Sequence, residues 1–149
     1  ASWPGTIQPG TCPDLVDSSD FLPTLAQLAG VEIPRDWQID GHSFAGSLLH
    51  SIEREPRQWC FFGYDPRPGW DKDTYTRHIF ALDHDYKLYS DGRLYRITGE
   101  GMQETLIPPE ESTIESLAAR IVLQKVIDEM MQSPLSKAAQ TDPEKFGQP

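Results

Sequence analysis

The sequence predicts an α/β chain, resolved more finely as an α+β arrangement in which short helices precede an antiparallel meander packed by one long helix. Three observations predict it: an apolar-periodic stretch with helix start and stop signals at 15–30, three short aromatic and branched runs between Arg77 and Ile97, and a long amphipathic stretch after Pro109. At 149 residues the chain suffices for one compact domain or two smaller pieces.

Taken in order, residues 1–5 read as the end of a strand entering a loop without a polar lead-in, which suggests an interrupted domain. In 15–30, Asp20 stands where it can cap the first helical turn, Pro23 falls where no intrahelical donor is lost, and Gly30 supplies a left-handed stop. Phe21, Leu22, Leu25, Leu28 and Ala29 share one face, which is expected to pack on something. Residues 43–52 read as a short helix with Phe44, Leu48 and Ile52 recurring every four positions, weakened at Gly46 by about 1 kcal/mol. The apolar run 59–62, Trp-Cys-Phe-Phe, fits a strand buried on both faces, though a buried helical turn shares that pattern.

Residues 64–74 combine Pro, Gly and charge, the composition of a surface loop. The runs 77–82, 86–89 and 93–97 then form the meander, and Asp91-Gly92 is the pair expected to take positive φ at both central positions of its second hairpin. Ser112 and Glu115 fit a capping box for a helix reaching about Gln132, where Ser133-Pro134 ends it. Its stripe of Ile114, Leu117, Ala118, Ile121, Val122, Val126, Ile127, Met130 and Met131 should cover one face of the meander. The polar tail 135–149 is expected to be poorly ordered.

Thirteen Lys and Arg against twenty-three Asp and Glu give a formal charge of −10, which disfavours nucleic acid and anionic lipid as partners. There is no run of eighteen apolar residues and no basic segment leading into an apolar core, so neither a membrane span nor a signal peptide is read. Cys12 and Cys60 have neither a zinc spacing nor a disulfide framework, and they read as free thiols, with a bridge left open for an exported protein.

Trp-Pro-Gly-x-Ile-x-Pro-Gly at 3–10, Leu-Val-x-Ser-x-Asp-x-x-Pro-Thr-Leu-x-x-Leu-Ala-Gly at 15–30 and Asp-Gly-x-Ser at 40–43 together resemble the C-terminal portion of arylsulfatase-like sulfatases, in the alkaline phosphatase superfamily. The resemblance continues through Pro56-Arg57, the run 59–62, Tyr86-Lys87-Leu88-Tyr89 and Leu94-Tyr95, and it weakens after Gly99. It implies that 1–63 closes a large α/β catalytic domain and that 64–134 is a C-terminal subdomain of loop, sheet and long helix. It also implies a parent that hydrolyses sulfate monoesters, aryl or carbohydrate, with calcium and a formylglycine made from Cys or Ser, exported to the periplasm, the cell exterior or a lysosome.

Neither cysteine sits in the Cys/Ser-x-Pro/Ala-x-Arg motif of that chemistry: Pro13-Asp14-Leu15-Val16 follows Cys12, and Phe61-Phe62-Gly63-Tyr64 follows Cys60. The family's calcium ligands and sulfate-binding Lys precede the Trp-Pro-Gly segment. The resemblance therefore implies a piece without catalytic residues or metal ligands, inactive alone, whose partner is the missing N-terminal catalytic portion, and whose exposed apolar faces favour self-association. A stand-alone binding module on the same scaffold is the alternative; a phosphatase or phosphoglycomutase is a weaker third.

Other reactive-looking clusters have plainer readings. Asp83-His84-Asp85 reads as a solvated turn, Asp40-Gly41-His42-Ser43 as a helix cap, and His50 as a helix-end residue. The stretch 64–78 is the better candidate for function. Tyr64, Arg67, Trp70, Lys72, Arg77 and His78 supply cations for a sulfate or carboxylate and aromatic faces for a sugar or aryl ring, and the resemblance implies substrate selection there.

Overall fold

The computed structural model describes residues 1–50, 55–64, 78–99 and 103–133. The chain forms two units, Ala1–Cys60 and Phe61–Pro149.

In the first unit a 3-10 turn, Ser18–Asp20, runs directly into helix α1, Phe21–Ala29, and a single helical turn, α2, spans Ala45–Leu48. Gly30 ends α1 at φ 67°, and Val31 N–H donates to Ala26 C=O at 2.9 Å, the six-to-one closure that a left-handed glycine permits. The start of α1 differs from the expected cap. Asp20 makes no capping hydrogen bond to the helix; Asp17 does the capping one turn earlier, its carboxylate accepting from Ser19 N–H at 2.8 Å while Asp20 Oδ2 accepts from Asp17 N–H at 2.8 Å. The reason is the preceding 3-10 turn, which moves the first unpaired donors upstream and leaves Asp20 helical and buried.

The apolar face of α1 stays open within this chain, in keeping with the exposed apolar faces expected above. Phe21, Leu22 and Leu25 are 54, 47 and 61% exposed, whereas Pro23 and Thr24 are buried. The helix turns inward the side that carries polar bonds. Thr24 Oγ1 donates to Asp20 C=O at 2.7 Å and accepts from Phe44 N–H at 3.0 Å, which ties α1 to the entry of α2. The expected helix over 43–52 shrinks to one turn because Leu49 leaves helical geometry and His50 enters the left-handed region at φ 52°. Ile52 lies outside the described residues.

The second unit is built on a five-stranded sheet, β1 Cys60–Tyr64, β2 His78–Leu82, β3 Tyr86–Tyr89, β4 Leu94–Thr98 and β5 Gln103–Leu106, in the order β1-β2-β3-β4-β5. Strands β2 to β5 form an antiparallel meander in which Phe80 faces Tyr89, Lys87 faces Tyr95 and Ile97 faces Glu104. The run 59–62 is not a strand buried on both faces: β1 lies at the sheet edge, and Phe62, Gly63 and Tyr64 are exposed. Strand β5 carries no period-two apolar signal, since all four residues are exposed, and its pairing with β4 is what makes it a strand.

The second hairpin forms at the expected place with a different turn. Gly92 N–H donates to Tyr89 C=O at 2.9 Å, and Gly92 takes φ 88°, while Asp91 does not take positive φ. Gly92 is therefore the left-handed bulge residue after a turn through Ser90 and Asp91, rather than half of a doubly positive pair.

Helix α3, Ile114–Met131, packs on β2 and β3 as expected. Its capping box is Thr113 with Ser116, one residue later than the Ser112–Glu115 reading, because Ser112 is extended and closes the 3-10 turn Pro109–Glu111. Ser116, Leu123, Val126 and Ile127 are buried, but Ile114, Leu117, Ile121 and Val122 are 88, 48, 71 and 53% exposed. The helix has two apolar rows, and the sheet takes the one centred on Leu123, with Ala81, Leu88 and Leu94 fully buried opposite. Ser116 is tolerated in that row because its hydroxyl donates to Thr113 C=O and accepts from Thr113 N–H, so no polar atom is stranded. The tail 135–149 lies outside the described residues. Among the described residues no helix is long and apolar enough to cross a membrane.

Candidate functional site

Two constellations emerge, one in each unit. In the first, Asp20 and Arg57 form a buried ion pair, with side chains 1 and 5% exposed. Arg57 Nε donates to Asp20 Oδ2 at 2.9 Å and Nη2 donates to Oδ1, a bidentate fork. Asp20 also accepts from Asp17 N–H and, at 2.7 Å, from His42 N–H. The remaining guanidinium donors reach Asp40 C=O at 3.1 Å and Trp59 C=O at 3.3 Å.

Burial opposes the Asp20 charge, but the Arg57 hydrogen bond and the two backbone N–H groups outweigh it and hold the carboxyl below its ordinary range. Burial likewise works against the Arg57 cation, and the hydrogen bond and charge of Asp20 raise it. The pair thus staples the start of α1 to the strands of chain at 40–42 and 57–59. Arg57 also pairs with Leu15 as an isolated antiparallel bridge.

Gly41 is part of this node. A Cβ there would overlap the Ser19 carbonyl oxygen and lie 2.7 Å from its carbon, both backbone atoms, so no side chain can move aside. Gly41→Ala is expected to destabilise the first unit by about 1–3 kcal/mol, seen as a lowered urea midpoint; an unchanged midpoint would refute the close approach.

The other polar clusters also have structural work. Asp83 Oδ1 accepts from Asp85 N–H at 2.8 Å and Tyr86 N–H at 2.7 Å, closing the β2–β3 turn. Ser43 Oγ accepts from Ala45 N–H at 3.2 Å at the entry of α2 and donates to Gln27 Oε1. Cys12 is exposed and Cys60 buried, both free thiols, and burial pushes the Cys60 thiol up. Among the described residues no group of three His, Cys, Asp or Glu is placed to hold a metal ion.

The second constellation holds the two described members of the predicted substrate set. Arg67, Trp70, Lys72 and Arg77 lie outside the described residues. Tyr64 at the end of β1 and His78 at the start of β2 meet at one cleft of about 330 Å³, lined further by Phe62, Gly63, Phe80 and Tyr89. Phe62 stacks on Phe80 at 5.1 Å between centroids, Phe80 tilts against Tyr89 at 5.4 Å, and His78 meets Tyr89 edge-on at 5.9 Å. Lys87 Nζ lies 4.0 Å from the Phe80 centroid and 4.8 Å from that of Tyr89, and it is bonded to Glu104 Oε1 at 2.7 Å. Burial works against the Lys87 charge, while Glu104 and Tyr89 raise its pKa above the ordinary lysine value.

Sequence reasoning missed Phe62, Phe80, Lys87 and Tyr89 as members of this group. The signal available was alternation: His78 and Phe80 in β2 and Lys87 and Tyr89 in β3 are two apart and point to one face. It missed the ion pair more completely, since Asp20 reads as a cap and Arg57 follows Pro56 in an unpatterned segment.

No family model matches the chain. Arylsulfatase A of Homo sapiens is 45% identical over 62 residues, 42% of this chain and 12% of its own length, and that of Bos taurus is 44% identical over 82 residues, 55% and 15%. An uncharacterized sulfatase of Escherichia coli (strain K12), YdeN, is 32% identical over 92 residues, 56% and 16%. A solved structure of a protein in complex with its substrate, D-glucosamine-2-N,6-O-disulfate, superposes with a TM-score of 0.46 at 21% identity, over 76% of this chain and 23% of that one. The chain spans between 12 and 16% of the length of these curated relatives. By sequence, then, segments that make up 42 to 56% of the chain are similar to sulfatases, arylsulfatase A among them.

Proposed function

We propose that this chain is a C-terminal part of a sulfatase that hydrolyses sulfate monoesters, and that its own role is scaffolding and substrate selection. The observation that carries the reading is the Asp20–Arg57 node. Asp20, Thr24, Gly41 and Arg57 all belong to the segments that resemble sulfatases, and each is engaged in holding the fold, with the Asp20 carboxylate accepting four hydrogen bonds. A carboxylate so neutralised and enclosed is a poor general base and a poor metal ligand. In this reading residues 1–63 close the α/β catalytic domain and 64–134 form a C-terminal subdomain. The nucleophile, the calcium and the sulfate-binding groups belong to the rest of the protein, and Tyr64, Arg67, Trp70, Lys72, Arg77 and His78 serve to select the substrate. Export of the parent follows from the same reading.

Two measurements test it. The coding region upstream of Ala1 is expected to hold an in-frame Cys/Ser-x-Pro/Ala-x-Arg motif and an early Asp pair; a start codon with neither would sink the reading and favour a stand-alone module. The purified chain is expected to release no 4-nitrophenol from 4-nitrophenyl sulfate above the uncatalysed rate. Turnover that co-elutes with the polypeptide would overturn its assignment as non-catalytic.

A further inference from the structure

The cleft on the sheet has a chemistry of its own. Phe62, Phe80 and Tyr89 line it with rings, Phe62 remaining 38% exposed, and polar groups stand at the side where Tyr64 and His78 end their strands. An apolar cavity of about 150 Å³ holds a benzene ring. A cleft of about 330 Å³ therefore has room for one substituted ring with its substituent at the mouth.

Among the described residues the cation nearest the rings is Lys87, and it is already committed to Glu104 at 2.7 Å. The pair brings no net charge to the cleft, so the described lining suits an uncharged ring better than an anion. Aromatic faces and edges attract a flat π-system by offset stacking and edge contacts, the arrangements these residues already make among themselves.

We propose that the cleft formed by Phe62, Tyr64, His78, Phe80 and Tyr89 binds the aryl ring of a ligand, gripping the uncharged ring and leaving a charged substituent outside. This deepens the reading above by naming the substrate class, an aryl ester in place of a carbohydrate one, and it rests on that reading only for the identity of the charged substituent.

The test is an NMR titration of the intact chain with four probes, following the aromatic protons of His78 and Phe80. 4-Nitrophenol and 4-nitrophenyl sulfate are expected to give saturable shifts with similar Kd, on the order of 1 mM for so small a ligand. Inorganic sulfate and methyl glucoside are expected to give none. Phe62→Ala should weaken both aryl probes roughly 3- to 10-fold, the worth of one ring contact. Should that variant fail to fold, Tyr64→Ala removes a half-exposed strand-end ring instead, with the same expected direction.

Absence of a saturable shift with 4-nitrophenol, or shifts untouched by the variant that folds, would overturn the proposal. Equal binding of methyl glucoside would overturn its choice of an aryl ring. The two readings fail separately: 4-nitrophenol binding without an upstream sulfatase motif leaves the cleft standing, and an upstream motif without binding leaves only the parent assignment.

Discussion

Arg57→Ala is expected to unfold the first unit at room temperature. Removing one partner of a buried ion pair costs about 3–5 kcal/mol, because the remaining charge stays enclosed without compensation. Here the orphan is a carboxylate 1% exposed, left with two backbone N–H donors from Asp17 and His42. A unit of 60 residues has a total stability on the order of 3–9 kcal/mol. The loss is therefore comparable to everything that holds it folded. Amide exchange measures it: residues 17–30 in the variant should exchange close to the unprotected rate, and protection within about tenfold of the parent sequence would show that the pair is not the staple described.

The same pair gives the unit an acid limb. The Asp20 carboxyl is held below its ordinary value in the fold, so the unfolded chain binds the proton more readily. The stabilisation is present in full above the unfolded aspartate pKa of about 3.9 and is lost as pH falls through the lower, folded value. Asp20→Asn removes this titration. Its urea midpoint is expected to be lower than that of the parent at pH 7, with the two curves converging as pH falls below about 4. Parallel curves over that range would place the acid sensitivity elsewhere.

Leu123→Ala is expected to destabilise the second unit by about 2–5 kcal/mol, and Ile121→Ala by about 0.5 kcal/mol or less. The two residues are both aliphatic and two positions apart on the same helix, which puts them about 200° apart around its axis, and Leu123 is 0% and Ile121 71% exposed. Leu123 lies in the row that α3 buries against β2 and β3, whose register partners Ala81 and Leu88 are fully buried too, and its truncation leaves a cavity in that core. Urea denaturation followed by tyrosine near-ultraviolet dichroism reads both variants. Equal losses would mean that the helix buries its other row.

That comparison marks the limit of what periodicity can say. The existence of α3, its end near Gln132 and its seat on the meander follow from an amphipathic pattern and flanking turn residues. Which of two apolar rows faces the sheet does not. Ile114, Leu117, Ile121 and Val122 form as good a stripe as the row through Leu123, Val126 and Ile127, and only the sheet's shape selects between them. The meander was legible at β2, β3 and β4 because aromatic and branched residues cluster there, and illegible at β5, where backbone pairing alone defines the strand.

At the candidate site the division is similar. The stretch around Tyr64 and His78 was recognisable as a place where rings and cations gather, but the cleft depends on register, which sets Phe80 against Tyr89, and on β1 lying beside β2. The sequence by itself determined the local events: the glycine stop of α1 at Gly30, the hairpin at Gly92, the amphipathic helix and the segments that resemble sulfatases. Each is written within a few neighbouring residues, where backbone sterics and side-chain spacing act directly. Only the tertiary structure decided that Asp20 binds Arg57 across thirty-seven positions rather than capping its own helix, and which apolar rows are buried. Those outcomes depend on groups distant in the chain competing for one donor or one surface, and that competition is settled in three dimensions.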